Sequence, residues 1–205
     1  MKLARCLLAL ALLGPAFCFA NSVDFSNSNG TLVGTNAGLA LTSTLISVQT
    51  GSTLDTGLLG SLAFSTGALT SGSLQSGGTF AAGGTFQISG NGTDGIPNGV
   101  IFSGTFSSPV TWTVVTLANG THNYQLTGAL TGTWFTGQTV NGATVQLTVN
   151  TGKGFFNGSV DLSSGNTDIS GIGLKIVSTP EPGTLAMFGT GLIGIGTLVR
   201  RRLRA

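Results

Sequence analysis

Charge is what this chain has least of. Asp, Glu, Lys and Arg make up 7% of its 205 residues, against about 25% in an ordinary soluble domain. Six of the eight basic residues lie at the ends: Lys2 and Arg5 near the start, Arg200, Arg201, Arg202 and Arg204 at the finish. Between them stand Lys153 and Lys175 against Asp24, Asp55, Asp94, Asp161 and Asp168. Nucleic-acid binding needs clustered basic side chains to displace counterions from phosphates. The middle has no such cluster, which excludes nucleic acid as the expected partner.

Cysteine and histidine are nearly as scarce. Both cysteines, Cys6 and Cys18, fall within the first twenty residues. The rest of the chain therefore has no disulfide, no thiol nucleophile and no thiolate metal site. His122 is the only histidine, so a histidine-built metal site is excluded. No Gly-x-Ser-x-Gly elbow accompanies it, and it reads as a loop or strand-start residue rather than a member of a triad. No enzyme constellation, cofactor site or metal centre is expected.

Glycine is abundant, at 34 residues, and 12 Phe and 2 Trp accompany many Val, Ile and Thr. A disordered chain of low charge would lack those aromatic and β-branched residues. From Asn21 to Val177 the apolar residues alternate with period two, as in strands with one face packed and one wet. Val110, Trp112 and Val114 share a face; so do Tyr124, Leu126, Leu130 and Trp134, and Val145, Leu147 and Val149. Phe156, Val160 and Leu162 suggest another strand, as do Thr44-Ile46-Val48, Leu62-Phe64, Phe86-Ile88, Phe102-Phe106 and Ile172-Leu174-Ile176. Turn signals stand at Asn29-Gly30, Asn91-Gly92, Asp94-Gly95, Asn98-Gly99, Asn119-Gly120 and Asn141-Gly142. Asn157-Gly158 reads as a turn or as a bulge within a strand. The expected fold is all-β: an antiparallel β-sandwich or a barrel-like domain rich in Gly, Thr and Ser.

A Gly-Thr-aromatic element recurs at Gly78-Thr79-Phe80, Gly84-Thr85-Phe86, Gly104-Thr105-Phe106 and Gly132-Thr133-Trp134. Its irregular spacing argues for strands entering a core, with a β-helix carrying threonine ladders as the alternative. Trp112, Trp134 and Tyr124 are the candidate stacking platforms for a polysaccharide, but their shared parity assigns them to the core. Asp161 and Asp168 are the nearest approach to a glycosidase pair; Asp161 has outward parity, and the two read as solvated. Asn91, Asp94 and Asn98 loosely resemble a calcium loop, with one carboxylate where hard cations want many oxygens.

The first twenty residues have the build of a secretory signal peptide. Lys2 and Arg5 form the positive start, Leu7 to Leu13 a short apolar core, and Gly14-Pro15 a break; small residues then precede a signal-peptidase cut between Ala20 and Asn21. At the other end Pro180-Glu181-Pro182 leads into the apolar run Leu185 to Val199 and then the arginines. As a helix that run rises roughly 22 Å, a short membrane span eked out by Thr184 and by snorkelling arginine stems. The arginines hold the last residues on the cytoplasmic side as a stop-transfer mark. The expected organisation is a signal peptide at 1–20, an extracytoplasmic β-domain at 21–177, and a sorting segment at 178–205 with its helix at about 184–199.

Pro180-Glu181-Pro182, the glycine-rich apolar helix and the closing arginines closely resemble the PEP-CTERM sorting signal, also called the ice-binding protein C-terminal domain. The resemblance covers about the last 27 residues. It implies a Gram-negative, often biofilm-forming bacterium and an exosortase that reads the Pro-Glu-Pro region and removes the helix. The two prolines suit that role, because they keep the segment extended and outside the helix. Together these readings give an exported, non-catalytic surface or matrix protein, transiently membrane-anchored and then released or displayed; the alternative is a polysaccharide-binding module of the same surface.

Overall fold

A computed structural model describes residues 22–170. The leader at 1–20 with its Ala20/Asn21 cut, the strand expected at Ile172-Leu174-Ile176, the helix at 184–199 and the whole segment 178–205 lie outside the described residues.

The described chain is eleven antiparallel strands: β1 (Ser22–Thr35), β2 (Gly38–Thr50), β3 (Thr53–Ser65), β4 (Leu69–Ser73), β5 (Gly77–Phe80), β6 (Gly83–Asn91), β7 (Asn98–Phe106), β8 (Val110–Thr116), β9 (His122–Trp134), β10 (Thr139–Asn150) and β11 (Ser159–Ser170). Eight of them close into a ring in the order β1-β2-β3-β6-β7-β9-β10-β11 and back to β1. Closure rests on β10, which pairs with β9 on one side and β11 on the other, and on β11, which pairs with β1 from Ser22↔Ser170 to Val33↔Ser159. The remaining strands form a branch. β9 gives its second half to β7 and its first half to β8, and β8 carries β5 and then β4 outward from the barrel.

The fold is thus a closed barrel and not a two-sheet sandwich. Period two cannot separate these architectures, because both put alternate residues inside. The strands of the ring are long, several of 12 to 14 residues, and they are bulged. Bulges add local twist and bend, and closing the ring pairs its strands on both sides, leaving β4 as the edge strand at the end of the branch.

Alternation fills the interior. Val23 and Phe25 on β1, Leu62 and Phe64 on β3, Tyr124, Leu126, Leu130 and Trp134 on β9, and Val145, Leu147 and Val149 on β10 all point inward and are buried in one continuous core. Phe64, Phe86, Phe102 and Phe106 pack edge-on or stacked at centroid distances near 6 Å. Each such ring contributes roughly 1.5–3 kcal/mol by leaving water. Each Gly-Thr-aromatic element sends its aromatic residue, Phe80, Phe86, Phe106 or Trp134, into this core. The strand-entry reading holds, and the β-helix does not.

Several local expectations need correction. Asn29-Gly30 is not a turn; both residues have positive φ inside β1, where the register against β2 shifts between Ser28 and Thr31. Asn141-Gly142 likewise sits within β10, at a shift against β9. On β2 the buried residues run Leu39, Leu41, Ser43, Leu45 and then Val48. An irregularity between Leu45 and Ser47 changes the parity, so Ile46 does not share a face with Val48. Phe156 is buried from the loop before β11, not from a strand, and Asn157-Gly158 belongs to that loop.

Candidate functional site

The three aromatic residues considered as sugar platforms are core residues. Trp112 and Trp134 are 1% exposed and Tyr124 is fully buried. Trp112 stacks on Tyr124 at 5.0 Å, and Phe156 meets Trp112 edge-on. The polar atoms of Trp112 and Tyr124 are spent on structure, while Trp134 Nε1 is buried without a partner among the described residues. Trp112 Nε1 donates to the Leu74 carbonyl (2.9 Å), and the Tyr124 hydroxyl donates to the Gln75 carbonyl (2.7 Å). That hydroxyl also accepts from the Phe156 backbone N–H (3.1 Å). The cluster pins the β4–β5 turn and the β10–β11 loop together.

His122 opens β9, 8% exposed, its Nδ1 at 2.9 Å from the Thr116 hydroxyl and its ring stacked on Phe155 at 4.4 Å. No carboxylate joins it among the described residues. Asp161 and Asp168 are not brought together: seven residues apart on β11, they are separated by roughly 23 Å at strand rise, beyond glycosidase reach. Asp161 accepts from the Thr31 hydroxyl at 3.2 Å. Asp168 instead faces Asp24 across the β1–β11 seam. In the 91–98 loop, the Asn91 side chain is already taken up by Thr93 and Leu58. Its Oδ1 accepts from Thr93 N and Oγ1, and its Nδ2 donates to the Leu58 carbonyl. That leaves Asp94 and Asn98 as the side-chain oxygens of the loop that could meet a cation.

One feature escaped the sequence. Across the outer faces of β1, β2, β3, β6 and β7 runs a groove of about 850 Å³. Its walls are outward side chains aligned by strand register: Thr31, Thr42, Ala63, Gln87 and Ser103 form one row, each opposite the next. Val33, Ala40, Ser65 and Thr85 form a second. No charged side chain lines it.

Beyond the barrel, the comparisons with known proteins settle one segment. Residues 178–202 match the PEP-CTERM protein-sorting motif. No curated protein and no solved structure matches the chain. The PEP-CTERM match takes in Pro180, Glu181, Pro182, Arg200, Arg201 and Arg202, and Arg204 lies just past it. The motif supports an exported protein whose sorting partner is an exosortase. It begins eight residues after the end of the last described strand, β11.

Proposed function

We propose that this chain is an exported, non-catalytic protein of the bacterial surface or extracellular matrix. In this reading signal peptidase cuts between Ala20 and Asn21, and the helix at 184–199 then holds the chain in the membrane. Arg200, Arg201, Arg202 and Arg204 keep its end inside, and an exosortase cleaves at Pro180-Glu181-Pro182. The observation that carries the reading is the PEP-CTERM motif at 178–202. An interior packed with side chains suits a scaffold.

The test is the intact mass of the cell-associated and released protein in strains with and without the exosortase. Trimming near Pro180 is expected only with the enzyme. Replacing Pro180, Glu181 and Pro182 by alanine removes the helix breakers and lets helix run upstream, so full-length chain should accumulate in the membrane. Normal trimming of that variant would remove the motif's role in processing.

A second reading, a polysaccharide-binding module, is supported by the outer groove rather than by the buried aromatic residues.

A further inference from the structure

We infer that the groove over β1, β2, β3, β6 and β7 is a binding site for an uncharged polysaccharide lying across the strands. The inference rests on the polysaccharide-binding reading and names its site and ligand class.

The groove has a local cause. At Gly30 and Gly84 the backbone adopts φ of +92° and +71°, and a Cβ at either would stand 2.0 Å from a neighbouring carbonyl, Thr42 O or Ser65 O. Only glycine allows so close an approach. Both positions lie at register shifts, one on β1 against β2 and one on β6 against β7. The bends they introduce flank β2 and β3 and leave the outer surface concave between them.

Its chemistry is one-sided. Neighbouring strands are about 4.8 Å apart, so a row crossing five of them is roughly 19 Å long, the length of a short oligosaccharide. Along that row stand hydroxyl and amide groups that serve as donor or acceptor. Ser65 and Thr85 hold one another (Oγ to Oγ1, 3.0 Å), and Thr31 is held by Asp161. The hydroxyls of Thr42, Ser103 and Thr105 have no hydrogen-bond partner among the described residues and are available to a ligand. Val33, Ala40 and Ala63 give apolar ground for the C–H faces of sugar rings.

Charge selects the class of polymer. Among the described residues the basic side chains reduce to Lys153, which does not line the groove, against five aspartates. The one charge touching the row is Asp161, through Thr31. An acidic polysaccharide would meet no cation and one carboxylate; a neutral one loses nothing by entering.

The experiment titrates the full-length chain, in detergent, with cellohexaose and mannohexaose as neutral probes and an alginate hexamer as the acidic one. Binding of a neutral hexamer is expected, weakened about tenfold or more by Thr42→Arg or Ser103→Arg, which fill the middle of the row. Gln146→Arg, on the opposite outer face, should bind as the unmodified chain does. Amide shift changes in the unmodified chain should map to the five groove strands, which covers the case of an arginine variant that melts early. Groove-dependent binding of alginate in preference to the neutral hexamers would overturn the ligand class while leaving a polysaccharide site. Shift changes away from the groove would overturn the site and leave the polysaccharide-binding reading; no binding of any probe would overturn both.

Discussion

Asp24 and Asp168 sit directly opposite one another across the seam where β1 meets β11, two carboxylates with Gln49 and Thr144 as their outer cross-strand neighbours. Burial first, and the Asp168 charge second, push the Asp24 carboxyl above its ordinary value of 3.8. One oxygen of Asp168 is buried and unpartnered among the described residues.

An acid whose folded pKa exceeds its unfolded one makes the native state the stronger proton binder. Stability is then greatest at low pH and falls as pH rises through 3.8 towards the raised folded value. Asp24→Asn should therefore raise the melting temperature at pH 7, by an amount corresponding to about 0.2–1 kcal/mol, the scale for like charges placed opposite on a sheet. Below pH 3.8, with the Asp24 carboxyl protonated, variant and parent should converge. Melting curves across pH 3–7 check this; an equal difference at both ends would mean that the pair's ionisation is not the cause.

Tyr124→Phe deletes one oxygen and keeps the ring. It leaves the Gln75 carbonyl and the Phe156 N–H without their partner, at a cost of about 1–3 kcal/mol. Because that oxygen ties the β4–β5 turn to the β10–β11 loop, amide exchange should quicken in both segments. Faster exchange in one alone would deny the bridge.

Gly165 lies opposite Asn27, and its missing side chain is the space that Asn27 fills. A Cβ there would come within 2.3 Å of Asn27 Oδ1 and 2.5 Å of Leu147 Cδ2. Gly165→Ala should cost about 1–3 kcal/mol by overpacking. Asn27→Ala alone also costs, since it breaks the 2.7 Å bond to the Ser43 hydroxyl. The double variant should lose less than the sum, because each change relieves the other. Strict additivity in denaturant melts would contradict the shared space.

Chelation should leave the melting curve unchanged. The 91–98 loop spends Asn91 on itself, and two remaining side chains fall short of the six to eight oxygens that calcium takes. A melting temperature that drops with chelator and returns with calcium would restore the loop as a cation site.

The strands were legible because burial is periodic along the chain. Val145, Leu147 and Val149, or Trp112 and Val110, announce their face within a few residues. Ile46 could not, because the irregularity beside it changes which face follows Leu45. Asn29 misled for a related reason: the positive φ that an Asn-Gly pair tolerates serves a bulge as well as a hairpin. Asn141-Gly142 misled because it stays within β10 at a register shift against β9. Ring closure was hidden in the pairing of Ser22 with Ser170, a contact that leaves no local mark. The groove was hidden in the same way, since Thr42, Gln87 and Ser103 come from three strands and become neighbours only through register. The sorting segment, by contrast, is read in one continuous stretch, and its pattern could be recognised without any fold.

The seam between β1 and β11 also bears on timing. During synthesis β1 can zip to β2 at once, yet its other edge must wait for a strand that ends at residue 170. Pairings so distant in sequence form slowly, and until β11 arrives the open edge of β1 is a template for any passing strand. The exosortase address follows only eight residues later. A chain broken off before β11 therefore lacks its closing strand and its sorting motif together, so a barrel left open is also a barrel left unaddressed.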